Sequence, residues 1–128
     1  SLYDFLSENN SISLMPAEYR TQDAIAASDL YWRLNEDDYE IDDIFVVGSK
    51  EIEYKGSMQK FYLCRVTTSW EGEESVEYNV AGPYATDGSI SVLNNEELTG
   101  GYYSADEKLS IEQHFEAIEK LVKEWGTN

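Results

Sequence analysis

The middle of this chain alternates apolar and polar residues with a period of two, whereas the segments on either side repeat with the helical period. Ile52 and Tyr54 alternate with charged residues, residues 76–80 alternate in the same way, and residues 59–70 place apolar groups on both faces of a longer segment. Strict alternation predicts strands, and a segment that is apolar on both faces predicts a central strand. The chain is thereby restricted to a mixed fold with consecutive strands.

Glycine-containing dipeptides divide this region into short strands. Gly48-Ser49 and Gly56-Ser57 are typical of tight hairpin connections, and Gly82-Pro83 is expected to end a strand. A further short strand is expected at 90–92 after Asp87-Gly88. We therefore expect an antiparallel β-meander of four to five strands over about 41–93.

Two helices are expected to flank the meander. Over about 16–34, Ala24, Ala27 and Tyr31 recur at helical spacing. Over about 105–125 an apolar stripe follows two candidate capping boxes, at 104–107 and 110–113, and Gly126 is expected to stop the helix. The stripe comprises Ile111, Phe115, Ile118, Leu121, Val122 and Trp125. The predicted fold is α+β in a single domain, 1–128, in which the meander packs against both helices.

The chain is strongly acidic, with 26 Asp and Glu residues against 9 Lys and Arg and a net charge of −17. Such a charge repels nucleic acid phosphates and anionic lipid surfaces. No apolar run reaches the roughly 18 residues that a membrane helix requires. We therefore expect no direct nucleic acid binding and no membrane insertion, and we expect a partner with a basic protein surface.

The charge is unevenly distributed. Residues 1–49 hold 11 acids and 2 bases, residues 50–70 hold 2 acids and 4 bases, and residues 71–107 hold 9 acids and no base. The acids of the third segment therefore have no basic neighbour in sequence, unlike acids paired with Lys along a helix. Their field stays uncompensated unless the tertiary fold supplies bases.

Residues suited to catalysis or metal binding are sparse. The chain has one histidine, His114, and one cysteine, Cys64, and it contains no CxxC, HExxH or G-x-S-x-G pattern. The acidic run 37–43 lacks the central Gly and the terminal Glu of an EF-hand loop. We predict that the protein is not an enzyme and that it uses neither a metal nor a cofactor.

The leading hypothesis is an acidic protein-binding module, one version of which inhibits a basic nucleic-acid-binding protein by mimicking DNA or by acting as an immunity protein does. Tyrosines that follow Gly or Pro in expected loops are added to the acids, because Tyr is enriched at protein interfaces. The predicted binding residues are Glu36, Asp37, Asp38, Glu40, Asp42, Asp43, Glu71, Glu73, Glu74, Glu77, Tyr84, Tyr102 and Tyr103.

Two other functions stay open. A small acidic chaperone or adaptor would receive an extended peptide on a sheet edge or in a groove. A small-ligand protein would enclose a cavity between a curved sheet and the long helix, lined by Phe61, Tyr62, Trp70, Tyr78 and Phe115. The single cysteine favours a cytoplasmic location, and an extracellular one stays open because the chain starts at Ser1. Monomer and dimer are both compatible with the sequence.

Overall fold

The computed structural model describes residues 21–34, 40–89, 103 and 108–127. These residues form one antiparallel sheet of three strands in the order β1-β2-β3, with one helix before it in sequence and one after it. The predicted α+β class and the central position of the strand at 59–70 are confirmed. The elements are α1 (Gln22–Leu34), β1 (Glu40–Tyr54), β2 (Ser57–Trp70), β3 (Glu73–Tyr84) and α2 (Ile111–Thr127).

The described sheet has three strands where four to five were predicted. Gly48-Ser49 is not a turn, because β1 runs through both residues. Val46 pairs with Cys64 and Gly48 pairs with Leu63, so that Val47 is an extra residue in a β-bulge. The strand predicted at 90–92 lies outside the described residues.

The two hairpins turn on the dipeptides Lys55-Gly56 and Glu71-Gly72. All four residues have positive φ, with 51° and 88° in the first turn and 49° and 82° in the second. Positive φ at both central residues defines a type I′ turn, whose twist matches that of the flanking strands. Glycine at the second position adopts this conformation without strain from a β-carbon.

The bulge at Val47 lets one strand contribute to two cores. Ile44 and Val46 face α1, but beyond the extra residue Ile52 and Tyr54 face α2. Gly48 lies under α2, where a β-carbon would be 3.5 Å from Ile111 Cγ2. The bulge thus brings a residue without a side chain to the place where the helix crosses the strand.

Both faces of the sheet are covered, which gives three layers in the order α1, sheet, α2. The α1-side core contains Ala26, Ala27, Leu30, Tyr31, Ile41, Ile44, Tyr62, Cys64, Val66, Ala81 and Tyr84. The α2-side core contains Ile52, Tyr54, Phe61, Leu63, Val80, Tyr103, Phe115, Ile118 and Val122. Alternate residues of β2 enter opposite cores, which explains why that strand is apolar on both faces.

Residues 16–20 of the first predicted helix lie outside the described residues, and α1 begins at Gln22. The second helix begins at Ile111, later than predicted. In α2 the capping box at 110–113 is the one that forms: Ser110 N donates to Gln113 Oε1 at 2.9 Å, and Gln113 N donates to Ser110 Oγ at 3.1 Å. Residues 108–110 are not helical, and the other candidate box, 104–107, lies outside the described residues. Gly126 does not end the helix, which continues to Thr127. Neither described helix is long and apolar enough to cross a membrane.

β3 continues through Gly82-Pro83, contrary to prediction, and ends at Tyr84. The Gly82-Pro83 peptide bond is cis, and the pairing with β2 shifts register between Lys60 and Tyr62. Proline is compatible with this place because β3 is an edge of the described sheet. On an edge strand, a residue that lacks an N–H need not remove a hydrogen bond between strands.

Candidate functional site: an acidic end of the sheet

The fold brings two acidic segments together at one end of the sheet. Glu40 pairs with Ser69 from one side and Glu74 pairs with Ser69 from the other, so that the two glutamates occupy one row. We call this region the acidic end and define it by Glu40, Asp42, Asp43, Glu71, Glu73 and Glu74. Five of these six residues are exposed and Asp42 is half-buried.

Asp42 is fixed by a hydrogen bond across the sheet. It lies at a register shift between Ile41 and Asp43, and its carboxylate accepts a hydrogen bond from Ser69 Oγ. A serine hydroxyl satisfies one carboxylate oxygen and leaves the negative charge in place. The strand scaffold therefore orders this carboxylate and does not neutralise it.

The strand lysines are at the other end of the sheet. Lys50, Lys55 and Lys60 lie on or beside the β1–β2 hairpin, roughly 20 to 40 Å from the acidic end by the rise of a strand. Lys50 forms an ion pair with Glu119 of α2. Arg65 is the last base on the described strands towards the acidic end, and its guanidinium carbon lies 5.7 Å from the centroid of the Phe45 ring.

No strand row beyond Arg65 contains a Lys or Arg within residues 40–89. Two acidic segments that contain no base, 40–43 and 71–74, therefore meet in space, and the described sheet supplies no bases between them. The hairpin lysines are too far away to neutralise the acidic end, because the Debye length at physiological salt is only about 8 Å. Within residues 40–89 the acidic end is therefore an anionic surface without a neighbouring base on its own strand rows.

Two large aromatic side chains border this surface, and neither was among the predicted binding residues. Trp70 is 50% exposed and lies opposite Glu73, and Phe45 is 54% exposed on the other face of the sheet. Trp is among the residues that most often dominate the energy of protein interfaces. No sequence signal separates Trp70 from Tyr54, which stands in the same position before the other hairpin turn and is only 7% exposed.

The predicted binding residues divide into four groups: those outside the described residues, those of the acidic end, Glu77, and the buried pair Tyr84 and Tyr103. Glu36, Asp37, Asp38 and Tyr102 lie outside the described residues, and the six residues of the acidic end lie together. Glu77 is half-buried two residues further along β3 from Ser75 and faces the α1 side, where Asn79 Nδ2 donates to its carboxylate at 3.4 Å.

The exposure predicted for two tyrosines is wrong. Tyr84 is the last residue of β3, is 3% exposed, and donates a hydrogen bond to Asp29 Oδ2 at 2.5 Å. Tyr103 is 4% exposed, and its hydroxyl is 2.7 Å from His114 Nδ1. Each hydroxyl has a partner within the fold, which allows a tyrosine to be buried. Neither residue belongs to a surface.

A shallow cleft of about 460 Å³ lies on the α1 side of the sheet. Its polar floor is an ordered network: Tyr62 Oη donates to Gln22 Oε1 at 2.5 Å, and Gln22 Nε2 donates to the carbonyls of Ala85 and Ser89 at 2.7 and 3.0 Å. Burial, together with the charge of Asp23, raises the pKa of Tyr62 to about 12. The cleft therefore contains a protonated phenol whose hydrogen bond is already satisfied.

The groups with catalytic potential are kept apart. Burial, with a smaller contribution from Asp23, raises the pKa of the Cys64 thiol to about 12, so the thiol is protonated at neutral pH. Cys64 belongs to the α1-side core, whereas His114 lies against Tyr78 and Tyr103 on the α2 side. The sheet therefore separates the two side chains that a Cys–His dyad would require.

The cavity proposed for a small-ligand protein cannot form from the residues predicted to line it. Phe61 and Phe115 are buried in the α2-side core, whereas Tyr62 is in the α1-side core and Trp70 is half-exposed at the acidic end. Among the described residues there is no group of three or more His, Cys, Asp or Glu arranged to hold a metal ion.

No family model matches the chain, and no curated protein or solved structure is significantly similar to it.

Proposed function

We propose that this protein is a binding module whose acidic end docks a basic surface of a partner protein. The observation that carries the proposal is the spatial union of residues 40–43 and 71–74 in rows that contain no base. A concentrated negative field accelerates the capture of a cationic partner and selects against anionic ones. Trp70 supplies an apolar contact beside the carboxylates, as the energetic centre of an interface requires.

The partner class that fits best is a protein that itself binds nucleic acid. Along a strand, residues on one face are about 6.7 Å apart, and neighbouring strands are about 4.8 Å apart. Carboxylates held on such a lattice, with Asp42 further fixed by Ser69, form an ordered anionic array. An ordered array loses less side-chain entropy on binding than flexible acids do. The proposed activity is therefore competition with nucleic acid for a cationic groove.

Binding to a defined cationic probe tests the docking surface. The probe is an arginine-rich peptide, and the affinity is measured by titration calorimetry at about 0.01 M and 0.15 M salt. In the test variant, Glu71, Glu73 and Glu74 are changed to Gln. Three partly exposed ion pairs at roughly 0.5 kcal/mol each imply an affinity loss of about tenfold at low salt.

The matched control changes Glu51, Glu53 and Glu116 to Gln, which alters the net charge equally. These residues are exposed and lie away from the acidic end. Equal losses in the two variants would show that only total charge matters and would refute a localised docking surface.

Competition with nucleic acid is tested separately by affinity capture at low salt. A partner retained by the unmodified protein and lost by the test variant should be displaced by duplex DNA. A partner that DNA does not displace would contradict the nucleic-acid-binding class while leaving the docking surface intact.

A further inference from the structure

A second feature, on the α2 side of the sheet, involves the chain's single histidine. His114 of α2 is 1% exposed, and its Nδ1 is 2.7 Å from the hydroxyl oxygen of Tyr103. Its ring lies against the ring of Tyr78 on β3, with centroids 4.4 Å apart and planes inclined by 32°. The Tyr103 ring meets the imidazole edge-on, with centroids 5.9 Å apart. The imidazole is therefore enclosed between a strand, its own helix and Tyr103.

The second ring nitrogen differs from the first in its hydrogen bonding. Nε2 of His114 is buried and has no hydrogen-bond partner among the residues that the structure describes. A neutral imidazole carries one N–H, whereas the protonated ring carries two and must donate from both nitrogens. Protonation in this place would create a buried charge and would require Nε2 to carry an N–H that no described acceptor meets, both of which are unfavourable.

Among the residues that the structure describes, none offers the charged ring a compensating negative charge. The titratable groups that face the imidazole are the phenols of Tyr78 on β3 and Tyr103. Arg65 of β2 pairs directly with Tyr78 and is a cation, so it cannot stabilise a second one. The residues one turn away from His114 in sequence are Ser110, Ile111, Ala117 and Ile118, which carry no charge. Burial accordingly lowers the pKa of His114 below its ordinary value of 6.5.

We propose that the cluster of Tyr78, Tyr103 and His114 is an acid-sensitive clamp: the neutral imidazole holds Tyr103 in the α2-side core, and protonation releases Tyr103. The release exposes the imidazole to water, where both of its N–H groups find acceptors. It also uncovers Tyr78, which is four residues from Glu74 on the same face of β3. The clamp is independent of the proposed docking function, because it requires no partner.

The direction of the pH effect follows from proton linkage. The opened or unfolded state binds a proton at its ordinary pKa of 6.5, whereas the closed state binds it only at lower pH. The stabilisation by the neutral imidazole is therefore complete above pH 6.5 and is lost as the pH falls towards the pKa of the closed state. Within that window the ratio of closed to opened molecules falls by up to about tenfold per pH unit.

The decisive measurement uses the intact protein and needs no variant. Because the chain has one histidine, its Cε1–H signal in a carbon–proton NMR spectrum is unambiguous. We expect a titration midpoint below 6.5 and a fall in hydrogen-exchange protection of the peptide that contains Tyr103 over the same pH range. A midpoint at or above 6.5, or protection of Tyr103 that is constant through the titration, would overturn the clamp.

Two variants separate the clamp from general acid sensitivity. H114F keeps an aromatic ring against Tyr78 and cannot titrate, so Tyr103 protection should no longer change between pH 6.5 and 5. Y103F removes the hydroxyl but leaves the imidazole buried, so the acid response should persist. An acid response in H114F as large as that of the unmodified protein would assign the effect to carboxylates and refute the proposal.

Discussion

Neutralising the acidic end should stabilise the folded protein, and this is the sharpest test of whether its charge is uncompensated. The perturbation is the triple change of Glu71, Glu73 and Glu74 to Gln. All three are exposed, so their amide replacements remain solvated and bury no new polar group. The result expected is the opposite of that for an ordinary surface, where removing charges also removes favourable pairs.

The size of the effect follows from the strand register. Glu40 and Glu74 flank Ser69, so two strand spacings place their Cα atoms about 10 Å apart. Two unit charges about 10 Å apart in water repel each other by about 0.4 kcal/mol. A Debye length of about 30 Å at 0.01 M salt preserves most of this repulsion, whereas about 8 Å at 0.15 M leaves about a third.

Each substituted glutamate has several such neighbours in the acidic end, but the unfolded chain retains part of the repulsion between residues close in sequence. We therefore expect the free energy of unfolding to rise by about 1 kcal/mol at 0.01 M salt and by about 0.3 kcal/mol at 0.15 M. A rise of about 1 kcal/mol raises Tm by about 4 °C in a domain of this size.

The control variant carries Gln in place of Glu51, Glu53 and Glu116. Glu51 is the cross-strand partner of Lys60, and Glu116 precedes Lys120 by one helical turn. Because these glutamates lie beside cations, their neutralisation should leave stability unchanged or lower it by a few tenths of a kcal/mol. Urea unfolding at the two salt concentrations measures both variants. Equal stabilisation of the two variants would mean that the negative charge acts as a uniform coat, and would refute a local concentration of charge at the acidic end.

Three further outcomes follow from the cores. Gln22→Leu leaves the buried Tyr62 hydroxyl without its acceptor and should lower the free energy of unfolding by about 2 kcal/mol in urea titration. Gln22→Glu keeps an acceptor oxygen for this hydroxyl and should lower the free energy of unfolding by less. The Cys64 thiol should react with a disulfide reagent at pH 8 only as fast as the protein opens, since its pKa is about 12 and it is fully buried; rapid labelling of the folded protein would contradict this. Gly82→Ala would place a β-carbon 2.5 Å from Phe61 Cδ1 and should lower stability by about 1 to 3 kcal/mol, measurable as a lower Tm.

Several elements follow from residue patterns because each is decided by its own periodicity. The stripe that includes Phe115, Ile118 and Val122 predicts the buried face of α2. Its start was predicted about six residues too early, because the sequence offers two candidate capping boxes and the later one forms. β2 is predicted as central because its apolar residues occupy both faces. In these cases the local pattern and the tertiary environment favour the same structure, so the pattern is sufficient.

The errors arise where one local pattern is compatible with two structures. Gly48-Ser49 suits a hairpin turn and a strand beside a bulge equally, and the long pairing of β1 with β2 shows that the second forms. Tyr84 follows Pro83 in a stretch typical of loops, yet its hydroxyl reaches Asp29, 55 residues earlier in the chain. Contacts between residues so distant in sequence leave no trace in a local window.

The sequence alone determines that the protein is strongly acidic, that two of its stretches lack basic neighbours, and which faces of its helices are apolar, because these are properties of composition and period. Only the tertiary structure decides that the two acidic stretches meet. Antiparallel pairing sets 40–43 and 73–74 on either side of the last residues of β2, and the same register carries the hairpin lysines to the opposite end. The location of charge depends on strand register, which is fixed by the burial of both sheet faces and not by the charges themselves.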